Sequence, residues 1–166
     1  MALVDTLLPE FDNEMAVTRR VLERAPEAAF SWRPHDKSFT LGGLCTHISQ
    51  IPRWGVAILL YDGYDTATSA GTRNAEKTAL ADVLTTFDGF VKDSRAKLLA
   101  ATDGELMVPW SLKRDGAIVM SMPRIAAFKS FAISHLIHHR GQLTVYLRLQ
   151  NVPLPPIYGP TADEGI

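Results

Sequence analysis

The fold turns on residues 125–149, Ile125-Ala-Ala-Phe128-Lys-Ser-Phe-Ala132-Ile-Ser-His135-Leu-Ile-His138-His139-Arg140-Gly-Gln142-Leu-Thr-Val-Tyr146-Leu-Arg-Leu149. Ile125, Phe128, Ala132, His135, His139, Gln142, Tyr146 and Leu149 recur at spacings of three and four, which predicts one long amphipathic helix. Ser121-Met122-Pro123 opens it, with proline near the first helical position, and Asn151 and Pro153 end it. His135 and His139 fall on its inward stripe. At i and i+4 their side chains leave the same face about 6 Å apart along the axis, close enough to share one ion.

Three further segments carry the same alternation. Val4 to Arg24 places Val4, Leu8, Phe11, Met15, Thr18 and Leu22 on one stripe. A second helix starts after Ser38 or Thr40, either of which suits an N-cap, and reaches Tyr61. Its stripe is Leu44, His47, Ile51, Trp54 and Ile58, with a kink expected at Pro52, which removes a helical donor. The stretch from Asp62 to Asn74, rich in Gly, Thr and Ser, reads as a loop. Thr78 to Ala101 gives a third helix with Leu80, Leu84, Phe87, Val91, Ser94 and Leu98 in register. Between Asp103 and Met122 the helical period fails. Two apolar runs flank Lys113-Arg-Asp-Gly116, which predicts a small β-hairpin, with Pro109 confining the first strand to an edge. The Pro-rich tail from Val152 to Pro160 is expected to lie across the bundle surface. The fold class is therefore all-α: a four-helix bundle, one domain over residues 1–166, with a hairpin or irregular insertion before the last helix.

Bulk properties restrict the function classes. Hydrophobic residues make up 46% and charged residues 21% of the 166, as in ordinary soluble proteins. A net charge of −1 and a pI near 6.5 give no footprint for nucleic acid. The densest apolar run, Trp54 to Tyr61, is too short to span a bilayer, and no signal peptide is expected from the N-terminal residues. One cysteine, Cys45, rules out an internal disulfide. A cytoplasmic protein is expected.

His47, on the inward stripe of the second helix, completes a set of three imidazoles. Burying so many without a shared purpose would cost about 1–3 kcal/mol each. A metal site with His47, His135 and His139 as ligands is the expectation. His138, three residues after His135, stands as an alternative to His139; a boundary histidine is its plainer role. His35 reads as a loop residue and Cys45 as a small buried hydrophobe. Leu136 occupies the position where a zinc protease helix needs its glutamate, so that mechanism is excluded. No nucleophile elbow and no phosphate-cradling glycine loop is present. Arg140 and Gln142 are candidates for orienting the imidazoles, although a surface ion pair suits Arg140 better. Tyr146 reads as core packing, and Asp163 and Glu164 reach the site only if the tail folds back.

Leu44-Cys45-Thr46-His47 followed by Trp54, the run His135-Leu-Ile-His138-His139-Arg140-Gly-Gln142, and the ending Val152-Pro-Leu-Pro-Pro156-Ile-Tyr-Gly-Pro-Thr-Ala-Asp-Glu164 together resemble the DinB/YfiT-like family of metalloenzymes. The resemblance spans nearly the whole chain. It implies a four-helix bundle, often a homodimer, with one divalent metal ion on His47, His135 and His139. It also implies a small-molecule substrate, in some relatives a low-molecular-weight thiol. Three protein ligands leave an open position on a metal, as catalytic sites require. Thiol S-transfer is the favoured chemistry, with metal-dependent hydrolysis and a non-catalytic metal-binding stress-response role as rivals. All-imidazole ligation suits zinc, nickel, copper or iron; zinc or nickel is the expected ion.

Overall fold

The computed structural model describes residues 2–68 and 75–165. Helices dominate: α1 (Leu3–Glu23), α2 (Leu41–Gln50), α3 (Arg53–Leu60), α4 (Leu80–Ala100), α5 (Asp103–Met107), α6 (Arg124–Phe128) and α7 (His135–Leu149). A π-helical segment, Lys129–Ser134, joins α6 to α7. α1 packs on α4 and α7, and α2 packs on the same two helices. α3 lies against α4 and α6. Their shared core contains Phe11, Leu22, Leu44, Ile48, Ile58, Phe87, Leu98, Phe128 and Leu136, all essentially inaccessible to water. No helix among the described residues is long and apolar enough to cross a membrane.

Pro52 does more than kink the second helix. It ends α2 at Gln50 and lets α3 start at Arg53, because its ring blocks the carbonyl ladder behind it. Thr40, not Ser38, is the cap: its Oγ1 accepts from the Gly43 N–H at 2.9 Å. At the crossing of α3 with α4 and α6, a methyl group on Gly55 would sit 2.6 Å from Ser94 Oγ and 2.8 Å from Phe128 Cε2. Ser94 is itself tied to the Pro52 carbonyl. Glycine is what permits that approach.

The all-α expectation is corrected by a three-stranded sheet in the order β1-β2-β3. The hairpin is present, with β2 (Pro109–Arg114) antiparallel to β3 (Ala117–Pro123). Asp115 and Gly116 both have positive φ, 51° and 78°, as a tight two-residue turn demands. The loop expected over residues 62–74 contributes β1 (Gly63–Asp65), parallel to β2; residues 69–74 of it lie outside the described residues. Three residues with one glycine carry no alternation that could have announced a strand. β2 is consequently the central strand, not an edge. Pro109 is tolerated because β1 begins opposite Ser111, so no neighbour on that side asks for its missing donor. Asp65 binds the turn, its carboxylate accepting from the Asp115 and Gly116 N–H groups at 3.1 and 2.7 Å; the bond from the Ala67 N–H first, and then these two, hold it below its usual pKa. The segment after Asp103, where no helical period was read, nevertheless opens with α5, five residues too short to show one, started by a reciprocal capping box of Thr102 and Glu105.

The tail does cross the surface, along the seam of α1 and α7. Arg148 pairs with Asp163 and Arg24 with Glu164, while the Arg20 guanidinium donates to the Pro156 carbonyl. Beneath it Arg140 is buried, 1% exposed, against Glu14 at 2.7 Å. Thr18 Oγ1, the Glu14 carbonyl and the Tyr158 hydroxyl accept from the same guanidinium, and the Tyr158 O–H donates to Glu14. The expected surface ion pair is therefore a core one. Arg140→Met leaves the Glu14 carboxylate buried without its cation, and urea denaturation should show a loss of about 3–5 kcal/mol. Gly55→Ala should cost about 1–3 kcal/mol by the same measurement, overpacking outweighing the alanine's better helix propensity.

Candidate metal centre

His47 stands in the last turn of α2, and His135 and His139 in the first turns of α7. The packing of α2 on α7 brings the three together. The extrapolated stripe had put His135 and His139 among the deepest residues of the last helix. The buried residues of α7 are Leu136, Arg140, Leu143, Tyr146 and Leu147, so the ridge runs one position further on, and of the expected stripe within α7 Tyr146 alone stays buried. The π segment is the cause. The His135 N–H bonds to the Ser130 carbonyl, five residues back, so the helix absorbs an extra residue there. One residue corresponds to about 100° of rotation. Phe128 and Ala132 before the turn stay buried, but the histidines after it swing to the rim of the core, half-buried and facing α2.

The ring nitrogens converge through a single edge. His135 Nε2 lies 3.3 Å from His47 Nε2 and 3.0 Å from His139 Nε2. Two nitrogens each about 2.0–2.1 Å from one tetrahedral ion would be about 3.3 Å apart. Ligand atoms of all three residues fall within 4.8 Å of one another, so the set could hold one metal ion; no carboxylate or thiol among the described residues joins it. Burial first, and then the neighbouring imidazoles, hold His135 below its ordinary pKa. Burial does the same for His139, against the opposing pull of its Gln142 hydrogen bond. Neutral imidazole is the form that binds a metal, so the site stabilises the protonation state that coordination needs. The residues present fit a divalent ion with an open position.

Around the rings, Gln142 Oε1 accepts from His139 Nδ1 at 2.8 Å, which directs Nε2 at the cluster. His135 Nδ1 is buried beside the Phe131 carbonyl but completes no well-formed hydrogen bond. The Phe39 ring stacks on His47, centroids 5.5 Å apart and planes at 15°, and meets His139 edge-on at 6.3 Å. Nothing in the sequence pattern marked Phe39, which sits in the broken segment before α2.

The remaining candidates lie elsewhere. His138 is exposed; its ring packs on His139, but its nitrogens stand outside the cluster. His35 is exposed and accepts from the Lys37 N–H. Cys45 is fully buried, and desolvation with the nearby Glu76 carboxylate pushes its thiol up to about 12. It is a protonated hydrophobe. Tyr146 packs edge-on against Trp32 and donates its hydroxyl proton to the Phe39 carbonyl. Asp163 and Glu164 are held by Arg148 and Arg24 and do not join the imidazoles.

Comparison with known proteins agrees with this architecture. An uncharacterised protein of Bacillus subtilis (strain 168), YrdA, is 25% identical over 171 residues, covering 97% of this chain and 91% of its own. A DinB-like protein of Bacillus subtilis, YjoA, superimposes with a TM-score of 0.71 at 20% identity, covering 92% of this chain and 96% of that one. A DinB-like protein from Bacillus cereus ATCC 10987 gives the same TM-score at 21% identity over 91% and 95%. These likenesses establish a shared fold. The family model for DinB matches residues 1–165, and the chain belongs to the DinB family.

Proposed function

We propose that the protein holds one divalent metal ion through His47, His135 and His139, within a four-helix bundle, and uses it on a small molecule. The carrying observation is the approach of three imidazoles through Nε2 atoms 3.0 and 3.3 Å apart. Zinc or nickel is our assignment for the ion, whose part is that of a Lewis acid lowering the pKa of a bound nucleophile. The chain's own groups orient and exclude. Gln142 fixes the ring of His139, Phe39 covers His47, and the core beneath keeps water from the buried side of the rings.

Thiol S-transfer is the favoured chemistry. A thiol, with a free pKa of about 8.5, asks far less acidification than water at about 15.7. Hydrolysis would be helped by a carboxylate base, and none joins the cluster among the described residues. The nucleophile is an external low-molecular-weight thiol in this reading, because the buried Cys45 cannot supply it. We further propose a cytoplasmic homodimer.

Metal content of the purified protein, beside His47→Ala and His135→Ala, tests the ligand set. Each substitution should abolish stoichiometric metal with helical circular dichroism preserved; retention in both variants refutes the assignment. The metal-loaded protein should then consume thiol in the presence of an electrophile, and a chelator should stop it. Turnover of the electrophile at equal rate without thiol would overturn the transferase reading in favour of hydrolysis.

Acid supplies an independent check. His135 and His139 have folded pKa values below the ordinary 6.5, so below that pH the unfolded chain takes up more protons than the folded one. Stability of the metal-free protein should therefore be level with respect to these groups above about pH 6.5 and fall as pH drops towards the lowered values. A urea midpoint series from pH 8 to about pH 5 reads this, and replacing both residues by glutamine should flatten the slope.

A further inference from the structure

The Phe39 side chain lies against two of the three imidazoles. It is 39% exposed, one of the large apolar side chains left at the surface, yet its ring lies parallel to His47 and edge-on to His139. Its backbone is anchored independently of that ring. The Phe39 carbonyl accepts from the Tyr146 hydroxyl at 3.2 Å. Tyr146 packs edge-on against Trp32, whose own carbonyl accepts from the Leu41 N–H at 2.8 Å. The next residue, Thr40, is fixed as the cap of α2 and hydrogen-bonded to Glu76. The main chain is thus pinned on both sides of Phe39, by the Ser38 N–H donating to the His35 carbonyl before it and by Thr40 after it, while among the described residues the ring is in aromatic contact only with imidazoles. A core residue would be enclosed on all sides; this one covers the cluster with one face and meets solvent with the other.

We propose that Phe39 is an aromatic cover over the imidazole cluster, controlling how quickly solutes reach His47 and His139 and how quickly a metal held there exchanges. The ring shields by position, and its rotation about fixed backbone opens the cluster without disturbing the helices that carry the ligands. Phe39 acts through access, as a positioning and gating residue. It donates nothing to chemistry. The exchange part of this inference rests on the metal reading; the shielding part concerns the imidazoles alone.

Acylation by diethyl pyrocarbonate of the metal-free protein, resolved residue by residue by mass spectrometry, tests the shield without any metal. In Phe39→Ala, His47 should react at least about threefold faster than in the wild type, the scale of losing one aromatic pair contact. The exposed His35, whose ring makes no aromatic contact with Phe39, should react at an unchanged rate and serves as the internal control for folding of that segment. Phe39→Trp, which keeps a flat ring, should preserve protection, and Phe39→Leu should fall between. Equal His47 rates in wild type and Phe39→Ala, with His35 unchanged, overturn the proposal. If Phe39→Ala loses helical signal, the Leu and Trp variants carry the same comparison. In zinc-loaded protein, Phe39→Ala should speed both uptake of zinc and its release to a chromogenic chelator, leaving the dissociation constant nearly constant. Faster release with unaltered uptake would mean weakened ligation and would overturn the gating role. A wild type that takes up no zinc but shows Phe39-dependent acylation would refute the metal reading while supporting the cover.

Discussion

The rotational setting of α7 is the constraint on which the site depends, and a buried ion pair fixes it. Arg140 carries a permanent charge into the core, where its desolvation is tolerable only with Glu14 opposite and with Thr18, the Glu14 carbonyl and Tyr158 taking its other N–H groups. Turning α7 by one residue would leave both charges unmatched in an apolar medium. The neighbouring positions have no freedom of their own. With Arg140 aimed at α1, His139 and His135 are directed at α2, and His47 is what they meet there.

Glu14 and Tyr158 give that constraint its reach. Glu14 sits on α1 among Phe11, Met15 and Leu22, residues whose burial sets α1 against its neighbours. Tyr158 belongs to the tail, held down by Arg148–Asp163 and Arg24–Glu164. Exposed ion pairs of that kind contribute little stability individually. Their use here is positional, since they keep the tyrosine hydroxyl over the fully buried guanidinium of Arg140. The C-terminal residues thus act on the imidazole cluster indirectly, through the phase of the helix.

Much of this was legible in the residues. Spacings of three and four located the main helices, the Asp-Gly dipeptide located the hairpin turn, and the pattern of His47 with His135 and His139 identified the cluster. What escaped has physical reasons. A π turn leaves no periodic mark, because one extra residue inside a stripe looks like an ordinary spacing of four. That is why the histidines read as core residues and Arg140 as a surface one, when Arg140 is buried and the histidines are half-buried at the rim. β1 was invisible because its pairing is with β2, some fifty residues away, and three residues have no propensity worth the name. Pro109 argued for an edge only under the assumption that β2 had a partner along its whole length. Phe39 escaped because an aromatic residue in an irregular segment carries no pattern at all.

The rim location bears directly on what the cluster can do. Three imidazoles sealed in the core would be neutral but closed to any substrate; three on an open helix face would be accessible but titrate freely near neutral pH. Half-burial lowers the pKa of His135 and His139 by desolvation while one side stays within reach of solvent. A structural metal site gains from completing its ligand set with a fourth side chain, and α2 offered one two residues from His47 in Cys45. The helix turns that thiol about 200° away, into the core, where it is protonated and inert. The fold therefore brings three imidazoles together and keeps the nearest thiol away, an arrangement that would suit a metal that must accept something from outside.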